Sequence, residues 1–251
     1  MPYGLYISAE GAQAQTRRLE AIANNLANVD TPGFKRDLAV CQARYAEAVE
    51  QGLKAPGTGA LEDIGGGVLV RQTKTDFSAG PLKHTQNPAD VAIEGDAFFQ
   101  VRKGDETFLT RAGNFRLTTA GNLVTQQGYS VLSETGAPII IRPDSGPWEI
   151  TGAGAVRQRD GDAQNFALVK PDSLGDLVKV GENLFRSATA PRPIAPNERK
   201  VATGYLELST VKPTVEMNAM IEASRLVEAN INLMKAQDQM LGSLIGRVLR
   251  A

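Results

Sequence analysis

Near the C-terminal end of the chain Met217, Met220, Ser224, Val227, Ile231, Met234, Asp238, Leu241, Ile245 and Val248 occupy successive a and d positions of a heptad pattern. That spacing predicts a long amphipathic helix. Ile221, Leu233 and Leu244 widen the stripe beyond a two-stranded seam, so the helix is expected to meet more than one neighbour. Pro213 stands just before the run, where a proline opens a helix without interrupting it. The other end repeats the pattern more weakly: Leu5, Ala12, Leu19 and Leu26 are seven apart, Ile22 and Val29 take the second seam position, and Ala9 and Ala23 lie beside them. Thr31-Pro32 is expected to end this helix, because a residue before proline is pushed out of the helical region.

Between the ends the period changes to two. Asp90 to Val101, Thr107 to Thr118, Asn122 to Leu132 and Ala137 to Pro143 are short extended runs separated by Gly, Asn and Asp turns, and they read as a β meander. Runs around Trp148 to Thr151, Phe166 to Val169 and Leu177 to Val180 continue it. Ala190 to Asn197, rich in proline, is expected to be an extended connector rather than a strand. Gly52 to Gly67 reads as a flexible linker, with a short second helix before it at Cys41 to Val49. The expected organisation is an N-terminal helical assembly segment (1–50), a Gly-rich linker (51–75), a β-rich central domain (76–203) and a C-terminal helical assembly segment (204–251). The fold class is therefore a mainly β central domain flanked by terminal helices that form a coiled-coil or helical-bundle assembly domain: α+β, and discontinuous.

Composition narrows the chemistry. A formal net charge of -1 lacks the basic footprint of a protein that holds nucleic acid through its phosphates. Cys41 is the single cysteine and His84 the single histidine, so neither an internal disulfide nor a Cys/His zinc site is expected. No Gly-x-Ser-x-Gly elbow, His-Glu-x-x-His or phosphate loop occurs, and His84 reads as a surface or strand-flanking residue. The carboxylate pairs Glu94/Asp96 and Asp160/Asp162 bracket glycines, which turn chemistry explains; a hydrolase using the first pair and a calcium site at the second are remote alternatives. Gly65 to Gly67 reads as linker rather than as an anion cradle, Cys41 as an inert thiol, and the methionines as packing. No catalytic residue, cofactor or metal is expected. No run of ~20 mostly apolar residues spans a membrane, and no cleavable signal is visible; taken alone, these features suggest a cytoplasmic protein.

Two helices pairing as a hairpin bury one stripe each. Burial stabilises by ~25 cal/mol per Å² of apolar area, whereas ordering a residue costs ~1–2 kcal/mol, so an isolated hairpin is expected to be marginal. Two compatible outcomes follow, since ordering can be coupled to assembly: ends largely disordered in the free chain, and ends completed by neighbouring copies; contacts between different patches generate filaments when the rotation does not close. The expected interface uses Leu5, Leu19, Ile22 and Leu26 on the first helix. On the second it uses Met217, Met220, Ile221, Val227, Ile231, Met234, Leu241 and Ile245. Asn24, Asn25 and Asn28 are poor helix formers. They serve either to cap the helix end or to fix register against an adjacent helix.

The same residues carry a resemblance. Ala23 to Arg36, ANNLANVDTPGFKR, and Gly204 to Leu241 resemble the N- and C-terminal signatures of the bacterial flagellar rod and hook protein family. Asp90 to Val101, Phe108 to Leu132 and Gly181 to Arg186 resemble the segments of its β domain. Gly4 to Gln15 and Ile221 to Arg225 favour its proximal-rod branch narrowly over the distal one, while Ser209 to Lys212 and Ser224 to Asn230 depart from the usual pattern. The resemblance implies a structural subunit of the basal-body rod in the periplasm. It further implies polymerisation with copies of itself and related rod and hook proteins, and export unfolded through the flagellar type III apparatus without a cleavable signal. A different class of function, a β-domain module binding cell-wall glycan or protein and merely oligomerised by its ends, predicts closed oligomers instead.

Overall fold

The computed structural model describes residues 3–43, 45, 49, 51–52, 65, 67–142, 146–159 and 163–248. Two helices bound the chain, α1 (Tyr3–Ala27) and α2 (Pro213–Val248). Pro213 is the first residue of α2, the position where its missing N–H is harmless. The first helix stops at Ala27, before the proline that was expected to end it, and Asn28 to Gly33 form turns instead.

The strands run in chain order. The first nine are β1 (Asp37–Ala43), β2 (Val68–Thr75), β3 (Leu82–His84), β4 (Val91–Ile93), β5 (Phe98–Lys103), β6 (Glu106–Thr110), β7 (Arg116–Leu117), β8 (Leu123–Val124) and β9 (Ser130–Val131). Then follow β10 (Trp148–Ile150), β11 (Ala155–Gln158), β12 (Gln164–Asn165), β13 (Leu168–Lys170), β14 (Leu177–Gly181), β15 (Leu184–Ser187), β16 (Arg192–Pro193), β17 (Val201–Thr203) and β18 (Tyr205–Glu207).

The chain divides into two compact units. The first gathers α1, α2 and the antiparallel hairpin of β1 and β2, whose register runs from Asp37↔Thr75 to Ala43↔Val68 with a bulge after Val40. Two expectations fail here. Cys41 to Ala43 form strand rather than helix, and Val68 to Thr75, assigned to a linker, supply their partner. Pairing with β2, rich in β-branched valine and threonine, overrides the weak helical character of Cys41 to Ala43. Gly67, read as linker, lies at φ +102°, where an added Cβ would fall 2.2 Å from Glu10 Oε2; most of the stretch from 53 to 66 lies outside the described residues.

The second unit contains residues 28–36 and 77–211. Its main antiparallel sheet has the order β14-β15-β6-β5-β9-β8-β7, with β13 also on β5 and β16 on β13. Thus Arg192 and Pro193, expected in a connector, form a short edge strand, a place where proline's lost N–H is tolerated. A separate sheet joins β10, β11 and β12, and two long-range antiparallel pairs join β17 to β4 and β18 to β3. Tyr205 to Glu207, placed with the C-terminal helix by sequence, therefore belong to a strand.

Alternation along β5 explains the Phe98-Phe99 pair. Phe99 enters one core with Phe115 and Phe166, ring centroids 5.0 and 5.5 Å away in edge-on geometry. Phe98 enters the other with Leu109, Val169, Leu177 and Phe185. Successive residues of a strand face opposite ways, so β5 is buried on both sides.

Candidate functional site

In the first unit α1 packs on α2, which realises the hairpin that sequence reasoning judged marginal. Along α2 the less exposed positions include Glu216, Met220, Ala223, Val227, Asn230, Met234, Gln237 and Leu241, alternating steps of four and three. Met220, Val227, Met234 and Leu241 thus lie in the seam as expected, half-buried. The other half of the register differs: Met217, Ile231 and Ile245 are exposed, as is the flanking Ile221, and Glu216, Ala223, Asn230 and Gln237 take the seam instead. Glycine on α1 makes this possible. A Cβ on Gly4 would lie 2.8 Å from Gln237 Nε2, and one on Gly11 would lie 3.2 Å from Asn230 Oδ1. Apolar periodicity cannot reveal a seam whose knobs are amides set over glycines.

On α1, Ile22 and Asn25 are buried, Leu5, Leu19 and Leu26 half-buried, and Asn24 exposed; Asn28, in the turn after the helix, is half-buried. The side-chain amide of Asn25 acts as a short strand. Its Oδ1 accepts from the Asp37 N–H at 2.9 Å and its Nδ2 donates to the Asp37 carbonyl at 2.9 Å. The same Nδ2 lies 3.4 Å from Glu216 Oε2, a residue buried in the first turn of α2. Asn28 plays a local part, its Oδ1 accepting from Thr31 Oγ1 at 3.2 Å. Within the single chain, then, Asn25 ties the end of α1 to Asp37 and Asn28 shapes the turn that follows.

The residues after Asn28 enter the β unit. Gly33, at φ +68°, approaches so closely that a Cβ would sit 2.5 Å from the Arg111 carbonyl carbon, while its N–H donates to the Glu207 carbonyl at 2.7 Å. Phe34 lies under Lys179, whose Nζ is 3.9 Å from the ring centroid and donates to the Lys35 carbonyl at 2.8 Å. Thr210 donates its N–H to the Phe34 carbonyl and accepts from the Arg36 N–H.

Lys35 is fully buried. Its Nζ donates to Glu207 Oε1 and to the Ser78 carbonyl, both at 2.6 Å. Glu207 Oε1 also accepts from the Gly80 N–H at 2.8 Å, and its Oε2 lies 3.4 Å from Arg111 Nη1. Arg111 donates to the Ile93 and Gly95 carbonyls and stands 4.9 Å from the Phe98 centroid. Burial pushes its guanidinium below its ordinary value, opposed by the carboxylates of Glu207 and Asp96.

A strained hairpin holds the other side of this turn. Glu182 and Asn183, between β14 and β15, both have positive φ, 52° and 62°, as a tight two-residue hairpin requires. Asparagine tolerates that region and glutamate does so rarely. Glu182 is secured by Lys103 Nζ at 2.6 Å and Tyr129 OH at 2.5 Å, which hold its carboxyl below the usual range. Asn183 then donates to the Pro32 carbonyl at 2.7 Å. Sequence reasoning missed Lys35, Arg111, Lys179, Asn183 and Glu207. A lysine between Phe34 and Arg36 looks like surface charge; only the Gly33 turn before it hinted at enclosure.

The remaining candidates are dispersed. His84 is an exposed residue of β3, its ring centroid 4.7 Å from that of Tyr205. Glu94 and Asp96 are exposed on either side of Gly95 at φ +100°, and Asp96 meets Lys170 at 3.3 Å. Asp160 and Asp162 lie outside the described residues. Among the described residues no helix is long and apolar enough to cross a membrane, and no three His, Cys, Asp or Glu side chains cluster to hold a metal.

Family models match three stretches: "Flagella basal body rod protein" over residues 5–35, "Flagellar hook protein FlgE/F/G D1 domain" over 92–158 and "Flagellar basal body rod FlgEFG protein C-terminal" over 202–247. The flagellar basal-body rod protein FlgF of Caulobacter vibrioides is 32% identical over 99% of this chain and 98% of its own length. The chain belongs to the flagellar rod and hook protein family. FlgG of Bacillus subtilis is likewise 32% identical, over 96% of this chain and 97% of its own, and FlgG of Agrobacterium fabrum 33%, over 98% and 99%. The two names occur at the same level of identity, so identity does not choose a branch within the family. The two terminal family segments contain the two ends of the buried ion pair, Lys35 in the first and Glu207 in the last.

Proposed function

We propose that this chain is a non-enzymatic structural subunit of the flagellar basal-body rod. It polymerises helically with copies of itself and with related rod and hook proteins into a torque-transmitting shaft that crosses the periplasm. The chain reaches that site unfolded, through the flagellar export apparatus. The helical unit does the assembling. One observation carries this reading. After α1 has been satisfied, α2 still exposes apolar side chains on both flanks of the seam, Met217, Ile231 and Ile245 on one and Leu226, Leu233 and Met240 on the other. Two flanks call for two neighbours, and an interface that joins unlike patches extends into a helical filament when its rotation does not close.

Leu26 is half-buried and serves poorly as a test, because its replacement perturbs the unit itself. Ile231→Asp places a charge on an exposed flank. Cells carrying it are expected to lose motility while the purified chain keeps its fold by circular dichroism. Normal swimming, or parent protein that forms closed oligomers of fixed mass in sedimentation, overturns the reading; the second result is that of the binding-module alternative.

A further inference from the structure

The segment from Pro138 to Arg142 contains Ile139, Ile140 and Ile141, a run with high strand propensity. Its inner edge is paired by backbone. Ile139 donates its N–H to the Val131 carbonyl and accepts from the Leu123 N–H, both at 3.0 Å, and Ile141 donates to the Gly121 carbonyl at 2.7 Å. In an antiparallel strand the intervening residues turn their N–H and C=O groups to the other edge. Those residues are Ile140 and Arg142, and both are exposed.

No strand of the described residues pairs with that outer edge; two glutamine side chains do. Gln164 Oε1 accepts from the Ile140 N–H at 3.0 Å, and its Nε2 donates to the Ile140 carbonyl at 2.7 Å. Gln158 repeats the arrangement on Arg142, at 3.0 and 2.8 Å. Each amide makes the two-way contact that a residue of a neighbouring strand would make. Gln164 is paired with core Val156 across β11 and β12, and Gln158 lies two residues from Val156 on β11, so all three project from one face of that sheet. The face thereby delivers one amide to each outward-facing residue of the edge.

We infer that Gln158 and Gln164 are built-in substitutes for a strand, and that they close the 138–142 edge against backbone pairing with a second copy of the chain. Without the two glutamines the edge would offer the exposed Ile140 and the outward N–H and C=O groups of Ile140 and Arg142, in a run of three isoleucines whose other two members are in the core, as a template for intermolecular pairing. The side-chain amides occupy those groups without extending the sheet. The inference does not depend on the rod reading, since it concerns the β unit alone.

The test uses the full chain carrying Ile231→Asp, which removes an exposed isoleucine of α2 from any self-association observed. Gln158→Ala/Gln164→Ala is compared with Gln127→Ala, an exposed glutamine elsewhere. The double variant is expected to exchange its Ile140 and Arg142 amides roughly tenfold faster, and to form oligomers in sedimentation at concentrations where the Gln127→Ala control is monomeric. Adding Ile140→Lys, a charge on the bare edge, is expected to restore the monomer without slowing that exchange. Each single variant, Gln158→Ala and Gln164→Ala, is measured alongside and is expected to show faster exchange at its own partner only, so the pairing stays testable if the double variant fails to fold. Unchanged exchange overturns the inference. So does faster exchange in a chain that stays monomeric, or oligomerisation that Ile140→Lys leaves untouched.

Discussion

Replacing Lys35 by methionine tests the buried turn directly. Breaking one partner of a buried ion pair costs ~3–5 kcal/mol when the remaining charge is left uncompensated. In Lys35→Met, Glu207 keeps Arg111 Nη1 at 3.4 Å and the Gly80 N–H at 2.8 Å, so the expected loss lies at the low end, ~3 kcal/mol. In Glu207→Gln two cations, Lys35 and Arg111, lose their shared carboxylate, and the loss approaches ~5 kcal/mol. Lys170→Met, which removes the exposed partner of Asp96, should cost ~0–1 kcal/mol. The single tryptophan, Trp148, packs against the core of the β unit and reports its unfolding in urea. At a slope of ~2 kcal/mol per molar, Lys35→Met moves the midpoint down by roughly 1.5 M. The order of damage is the sharper test: Glu207→Gln worst, then Lys35→Met, then Lys170→Met. A Lys35→Met midpoint equal to that of Lys170→Met refutes the claim that this pair secures the turn. A Lys35→Met more damaged than Glu207→Gln refutes the assignment of Glu207 as the shared counter-charge.

Gly33→Ala should destabilise the β unit by at least ~2 kcal/mol in the same urea experiment, since it adds a backbone clash to an unfavourable φ. Asn25→Ala removes two hydrogen bonds to Asp37, and at ~1 kcal/mol each it should cost ~2 kcal/mol in thermal unfolding of the helical unit; Asn25→Asp turns an acceptor and a charge toward the Asp37 carbonyl and Glu216 and should cost at least as much. The carboxyl of Glu182 should titrate by NMR below its ordinary value of 4.5. Its folded value is depressed, so the stabilisation of the hairpin is present above the ordinary value and disappears as pH falls through the folded one. Lys103 is raised above its ordinary 10.5, so its share is complete below that value and is lost as pH rises through the folded one.

Regular periodicity was legible where the structure uses it. The strands from Val91 to Val131 follow the alternation that sequence reasoning picked out, because apolar residues there pack into a core on one or both faces. The helix seam was legible at Met220, Val227, Met234 and Leu241 and hidden at Asn230 and Gln237, whose amides lie over Gly11 and Gly4. Hydropathy treats those positions as solvent-facing. The β1 and β2 hairpin was hidden for another reason: its pairing spans a long stretch of chain, and neither strand alone outweighs the glycines between them. Lys35 and Glu207 were hidden most deeply, since charge reads as surface unless a partner far along the sequence is known.

The seam between α1 and α2 bears on how far intramolecular pairing can satisfy the helical unit. Glycine within a helix costs ~1 kcal/mol relative to alanine, and α1 carries two in its first half, Gly4 and Gly11, each given over to an amide of α2. Gln15 Oε1 and Gln237 Oε1 are buried there without hydrogen-bond partners. Such a seam specifies register better than it stabilises, because a heptad slip of α1 along α2 would set Gly11 over Gln237 and carry Arg18 onto Asn230. The end near Asn25 is different: its amide exchanges two hydrogen bonds with Asp37 and reaches Glu216. Pairing is therefore anchored at one end and economical in apolar burial along the rest. The apolar side chains that α2 withholds from this seam, Ile231 and Leu233 among them, are the larger store of unsatisfied surface, and it is their burial that decides whether the helical unit gains more from neighbours than from itself.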